Sequence, residues 1–242
     1  RVLATDGSIV SRADRGVLGT AAAMAWFGPG QQALMIGSDG SSERWDGATV
    51  AAVPIEPATA RLVRRAVGDP ARARVVLGVT GNDRFAGSLV VVDTATGAEI
   101  WRHDVGDDAA EPTWDVGDDG RVLAVADLEV KLLALDGEVE TSWDLTGDES
   151  VVSVVALDTG GYAVVRARGS IQFVGADGVV IADEVAGGKR LVDQTATVST
   201  GGIIAADVDG RVTRWDSRGE MVNDVTSFVA GRINDVAVSA DG

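Results

Sequence analysis

An Asp in a turn-like setting returns along this chain at near-regular intervals: Asp14 in "SRADRG", Asp46 in "ERWDGA", Asp93 in "VVDTATG", Asp136 in "LALDGE", Asp177 in "VGADGV" and Asp216 in "TRWDSRG". Successive gaps are 32, 47, 43, 41 and 39 residues, close to the roughly 40 to 45 residues of a repeated four-stranded unit. A unit of that size cannot bury its apolar face alone, so its copies must stack on one another, and few other folds remain open to the chain.

Within a copy, short apolar and β-branched runs are separated by Gly- and Asp-rich turns, the pattern of four brief strands. The fifth copy reads "SVVSVVALDTGG", "YAVVRARG", "SIQFVGADG" and "VVIADEVAGG", and the sixth repeats the order from "LVDQTATVSTGG" to "EMVNDVTSFVAG". No stretch carries a long 3.6-residue period. "ATARLVRRAVGDPARARV" comes nearest and allows one helical turn, limited by Pro70.

The ends complement each other. The chain closes on "RINDVAVSADG", the form of a first strand and its turn, and opens on "RVLATDGSIVSRADRGVLGT", the form of the other three. Joined, they make one copy and remove exposed sheet edges. The expectation is an all-β chain, a single β-propeller over residues 1–242 with six four-stranded antiparallel blades, its ring closed by the C-terminal strand completing the N-terminal blade. The blades run over 233–242 plus 1–20, 21–60, 61–108, 109–148, 149–188 and 189–232. A second reading, a piece cut from a longer chain of seven or eight blades, stays open, as does a segment lost before Arg1.

"VVVDTATGAEIWRHDVG", Val90 to Gly106, resembles the tryptophan-docking repeat of PQQ-like quinoprotein propellers, with Asp93, the Thr-Gly turn at Gly97 and Trp101. The resemblance implies that Trp101, and Trp143 in "EVETSWDLTG", pack between neighbouring blades. Trp45 with Asp46 and Trp215 with Asp216 stand as WD40-like repeats end their third strand, and "DVAVSADG" is similar to a WD40-type first strand and turn. The Gly-His dipeptide of WD40 repeats is absent. Repeats of the quinoprotein kind also imply a bacterial, extracytoplasmic setting.

Composition bounds the function. Thirty-seven acidic residues against 21 basic ones give a formal charge of −16, a surface that repels nucleic acid and anionic lipid. The apolar runs are strand-sized, well short of the roughly 20 residues of a membrane helix, so no membrane insertion by this segment is expected. Zero Cys excludes disulfides, thiol nucleophiles and thiolate metal sites. The single histidine, His103, cannot build a multi-His metal centre and reads as a bystander beside Trp101.

Two sets of Asp separate by position. Asp46, Asp93, Asp136, Asp177 and Asp216 fall in third-to-fourth-strand turns, where an Asp carboxylate serves the turn's own amides. Asp39, Asp83, Asp127 and Asp209, with Asp6 and with Arg168 in the fifth copy, fall in second-to-third-strand turns, which line the mouth of the channel in propellers. Their summed field suits a basic partner, while Asp-Gly is also the pair that tight hairpins require. The loop "GNDRFAG" adds Arg84 and Phe85, residue types that anchor interfaces. Arg61, Arg64 and Arg65 form the one basic cluster.

The expected function is a non-catalytic binding or scaffold propeller that presents loops to a protein or peptide partner, basic by complementarity, alone or as the sensor part of a larger chain. The alternative is a calcium-dependent, lactonase-like hydrolase using Asp193 and Asp235 as metal candidates, with Asn234 and Asp115 converging on the axis. "DVDG" at Asp207 to Gly210 lacks the remaining ligands of a calcium loop. Pyrroloquinoline quinone is not expected, because the quinoprotein enzymes are much longer, usually have eight blades and commonly stack the cofactor on adjacent cysteines. No cofactor is called for unless the alternative holds, when it would be calcium.

Overall fold

The computed structural model describes residues 2–3, 9–11, 21–28, 32–80, 87–106, 112–146, 149–185, 192–198, 202–207 and 211–226. The chain divides into two compact units, Arg1–Glu111 and Pro112–Gly242. In the first, β1 (Val2–Leu3) pairs with β2 (Ile9–Ser11). A four-stranded sheet follows, made of β3 (Ala21–Phe27), β4 (Gln32–Gly37), β5 (Ser42–Trp45) and β6 (Val50–Ala52). Helix α1 (Pro57–Leu62) leads into a second sheet of β7 (Val63–Gly68), β8 (Arg74–Thr80), β9 (Gly87–Asp93) and β10 (Glu99–Gly106). Every pairing is antiparallel between consecutive strands, so each sheet is a simple meander.

The helical turn expected within "ATARLVRRAVGDPARARV" is α1, with Pro57 in its first turn, where the missing amide costs nothing. It ends where Val63 turns extended, and the rest of that stretch is strand β7 and a hairpin built on Asp69. The Asp69 carboxylate, fully buried, accepts the amides of Ala71 and Arg72 and pairs with Arg74 Nε at 2.6 Å.

The two sheets of this unit share a core of Phe27, Leu34, Ile36, Val75, Leu77, Val90 and Val92. Strand β7 lies so close to β3 that a Cβ on Gly68 would sit 1.6 Å from the Trp26 carbonyl oxygen. Only hydrogen fits between these two first strands.

The second unit holds three more four-stranded meanders. Their strands are β11 (Thr113–Val116), β12 (Val122–Ala126), β13 (Glu129–Leu133) and β14 (Val139–Asp144); β15 (Val151–Ala156), β16 (Tyr162–Arg166), β17 (Ser170–Val174) and β18 (Val180–Val185); and β19 (Val192–Val198), β20 (Gly202–Asp207), β21 (Arg211–Trp215) and β22 (Met221–Thr226). The chain is therefore all-β apart from α1, with five four-stranded antiparallel sheets and one two-stranded pair among the described residues. Arg232 to Gly242, which carry the expected closing strand, lie outside the described residues.

Stacking explains the sequence pattern of the strands. Strands β12, β16 and β17 are covered on both faces and run almost continuously apolar, as in "VLAVA", whereas the fourth strand β14, "VETSWD", alternates toward solvent. Leu123, Val130, Leu132, Val154, Tyr162 and Val164 form one core between the first two sheets of the unit. Phe173, Ile171, Val165, Ile203, Ala205 and Trp215 form the next. Each such Leu, Ile or Phe contributes about 1.5–3 kcal/mol on full burial, so the interfaces between sheets carry most of the stability.

Polar bridges fix the stacking register. Asp115 on β11 accepts the Ala156 amide of β15 at 2.7 Å, and the Tyr162 hydroxyl donates to the Arg121 carbonyl at 3.0 Å. Burial pushes the Tyr162 phenol well above its ordinary pKa, so it remains a neutral donor. The Trp143 indole donates to Gln172 Oε1 of the next sheet at 3.1 Å and packs on the shared core.

Candidate functional site

The two ends of the third strands are built differently. At the third-to-fourth-strand end, every turn among the described residues uses an Asp carboxylate on its own amides; Asp14 lies outside them. Asp46 Oδ1 accepts from Ala48 and Thr49, and Asp93 Oδ1 from Ala95 and Thr96. Asp136 accepts from Glu138, Asp177 from Val179, and Asp216 from Arg218 and Glu220. These bonds lower the Asp46 pKa to about 2, with the Thr49 amide the largest cause, and hold Asp93 below the usual range, chiefly through the Thr96 amide.

The five Asp are not equivalent in register. The turns close from the amides of Asp46, Asp93, Ala134, Gly175 and Asp216, positions separated by 47, 41, 41 and 41 residues. In the fourth and fifth copies the Asp sits two residues later, just before Gly137 and Gly178, which carry positive φ. The true period is thus more regular than the Asp marker, and the one long interval holds α1.

Of the repeat tryptophans, Trp45 is buried and meets Trp26 edge to face at 5.6 Å, while Trp101 and Trp215 are buried and Trp143 is half-buried. Gly97 has φ +72, and its Cβ position lies 2.7 Å from the Pro54 carbonyl carbon, so the Thr-Gly turn rests directly on the chain after β6.

The second-to-third-strand turns have no common design. Asp39 lies exposed between β4 and β5 and accepts the Ser41 amide at 3.0 Å. Asp127 lies exposed between β12 and β13, where both turn residues have positive φ, 56 for Asp127 and 120 for Leu128. Asp suits the left-handed region, whereas Leu at such a φ is strained and is held by packing on the core beneath. Arg168 is exposed between β16 and β17.

Asp83, Arg84, Phe85, Asp209 and Asp235 lie outside the described residues, as does the side chain of Asp193 on β19. Arg64 is exposed and Arg65 half-buried on β7. His103 is half-buried on β10, opposite Leu89. Asp115 bonds amides of β11 and β15, its own neighbour Val116 and Ala156. Among the described residues, no group of three or more His, Asp or Glu is placed to hold a metal ion.

In the second unit the Asp127 turn belongs to a connected loop cluster. The Leu145 amide donates to the Leu128 carbonyl, and the next carbonyl, that of Thr146, accepts Arg166 Nη1 at 2.7 Å. Arg166 ends β16 and is only 6% exposed. Beside it, the Ser170 hydroxyl donates to Glu149 Oε2 at 2.9 Å. Sequence reasoning picks Arg168 at this turn and passes over Arg166. The one available signal is a charged residue closing an otherwise apolar central strand, "YAVVR".

No family model matches the chain, and no curated protein is similar to it in sequence. Among solved structures, virginiamycin B lyase from Staphylococcus aureus is similar with a TM-score of 0.64 at 7% identity, over 87% of this chain and 71% of the lyase. The C-terminal WD40 domain of Sif2 is similar with a TM-score of 0.62 at 13% identity, over 89% of this chain and 62% of that one. The present chain is thus shorter than both. At these identities the likeness is one of fold: antiparallel four-stranded sheets of the WD40-like β-propeller kind.

Proposed function

We propose that this chain is a non-catalytic binding propeller that presents its second-to-third-strand turns to a protein or peptide partner, with a basic segment of that partner drawn to Asp39 and Asp127. The observation that carries the reading is the variety of the described second-to-third-strand turns, in which Asp39, Asp127 and Arg168 are exposed at the ends of rigid sheets on differing backbone. The likeness to a WD40 domain supports it at the level of fold. The reading includes six blades, with the N-terminal blade completed by the C-terminal strand, and a relation to PQQ-like repeats resting on Val90 to Gly106. It assigns the whole of 1–242 to one propeller.

The test replaces Asp39 and Asp127 by Asn, which keeps the Oδ1 that accepts the Ser41 amide, tolerates the positive φ at 127 and removes both charges. Binding of Lys- and Arg-rich peptides to the intact chain, measured by fluorescence anisotropy at two salt concentrations, should weaken several-fold in the double variant and lose part of its salt dependence. Unchanged binding would reject these turns as the recognition face. Calcium retained at stoichiometric level by the purified chain, and lost on replacing Asp193 and Asp235, would instead favour the hydrolase.

A further inference from the structure

We propose that the Arg166 guanidinium is a carboxylate-binding group at the second-to-third-strand end of the β15–β18 sheet. Its Nη1 donates to the Thr146 carbonyl at 2.7 Å, which fixes the plane of the group. Its Nε and Nη2 are buried and, among the described residues, have no hydrogen-bond acceptor. These two nitrogens share one edge of the guanidinium, and their parallel N–H bonds form the fork that accepts a carboxylate through both oxygens.

Nothing structural requires that edge. Holding the Thr146 carbonyl takes one donor, which a Gln supplies without burying a charge. A buried cation with an unserved pair of donors is costly, and an interior position is expected to satisfy it or exclude it. Glu149, in the loop that follows Thr146, receives the Ser170 hydroxyl, and Arg166 forms no ion pair among the described residues. The residues beside it at this strand end are exposed: Thr146, whose carbonyl it holds, Ser150, whose carbonyl accepts the Ala167 amide, and Arg168, so this end of the sheet faces solvent. The chain's net negative charge opposes an anion only over the screened distance of about 8 Å at physiological salt, whereas a bidentate contact acts at hydrogen-bond range.

This inference deepens the binding reading, since it names an acidic side chain or C-terminal carboxylate as one anchor of the partner, and it rests on that reading for the carboxylate's source. The experiment follows the Arg166 Nε–Hε resonance of the full chain by NMR, assigned through side-chain correlations in the unsubstituted protein. Probes are sodium acetate against sodium chloride at matched ionic strength, and a short peptide ending in Glu against its Gln, C-terminally amidated counterpart. A saturable shift with acetate and with the acidic peptide shows that a free carboxylate suffices. A shift with the acidic peptide alone shows that the carboxylate must come from a partner segment.

No saturable shift with either, or the same shift with chloride and with the amidated peptide, overturns the proposal. Arg166→Lys should weaken the responding probe roughly tenfold, because an ammonium cannot form the fork, while Arg218→Gln, in an exposed third-to-fourth-strand turn at the opposite strand end, should leave it unchanged. The unsubstituted protein decides the matter even if Arg166→Lys does not fold. Since Asp39 and Asp127 take no part, basic-peptide binding and this site can fail separately.

Discussion

The third-to-fourth-strand turns and the second-to-third-strand turns sit on the same strands and both use Asp, yet only the first set places an Asp on its own turn amides in every described four-stranded sheet. Asp46, Asp93, Asp136, Asp177 and Asp216 all serve local amides. Asp39 serves Ser41, Asp127 occupies a turn of two positive-φ residues, and Arg168 stands where the others have acid. A turn capped by an Asp on its own amides five times, from either of two positions, answers a folding problem. A position filled differently on each sheet is free to be shaped by a partner.

The comparison breaks first at Gly97. Valine there would meet the Pro54 carbonyl and take φ +72, so Gly97→Val should cost about 2–5 kcal/mol, read as a drop in the urea midpoint. A loss below about 1 kcal/mol would show that this turn is not seated as described.

A smaller effect sharpens the contrast. Asp93→Ala removes the acceptor of two turn amides and should cost about 1 kcal/mol, whereas Arg168→Gln, at an exposed second-to-third-strand turn, should stay within about 0.5 kcal/mol. Equal losses at the two sites, measured by chemical denaturation, would erase the distinction between a structural and a presenting end.

The smallest effect is in pH. Asp46 titrates at about 2 in the folded chain against roughly 3.9 unfolded, so its charge contributes stability that is fully present above the unfolded value and is lost as pH falls toward 2. Thermal midpoints of the parent and Asp46→Asn should differ by a constant amount above about pH 5 and converge between pH 4 and 2. A constant difference throughout that window would remove the charge from the account of this turn.

Much of the architecture was legible because each of its causes is local. Turn chemistry and strand-length apolar runs are written in consecutive residues, so the meander order of the sheets follows from "YAVVRARG" or "RVLAVADLEV" directly. The Asp marker misled by two residues in "LALDGE" and "VGADGV", because Asp serves a turn equally well from its first position or from just before its Gly. The helix was placed within the right stretch, but Pro70 was the wrong limit: β7 takes over at Val63, where pairing with β8 and packing on β3 outweigh local helix propensity. Asp115 reads from its place on a first strand as a residue that could face the axis, and its bond to the Ala156 amide of the next sheet has no local signal.

The sequence by itself determined the repeat, the strand lengths, the turn caps and the acidic surface, all of which depend on residues within a few positions of one another. Only the tertiary structure decided that Gly68 must lack a side chain, that Tyr162 reaches the Arg121 carbonyl, and that Arg166 is buried with one edge of its guanidinium unserved. Each of these arises where one sheet or loop is brought against another, and close packing between distant segments leaves no mark in a local pattern.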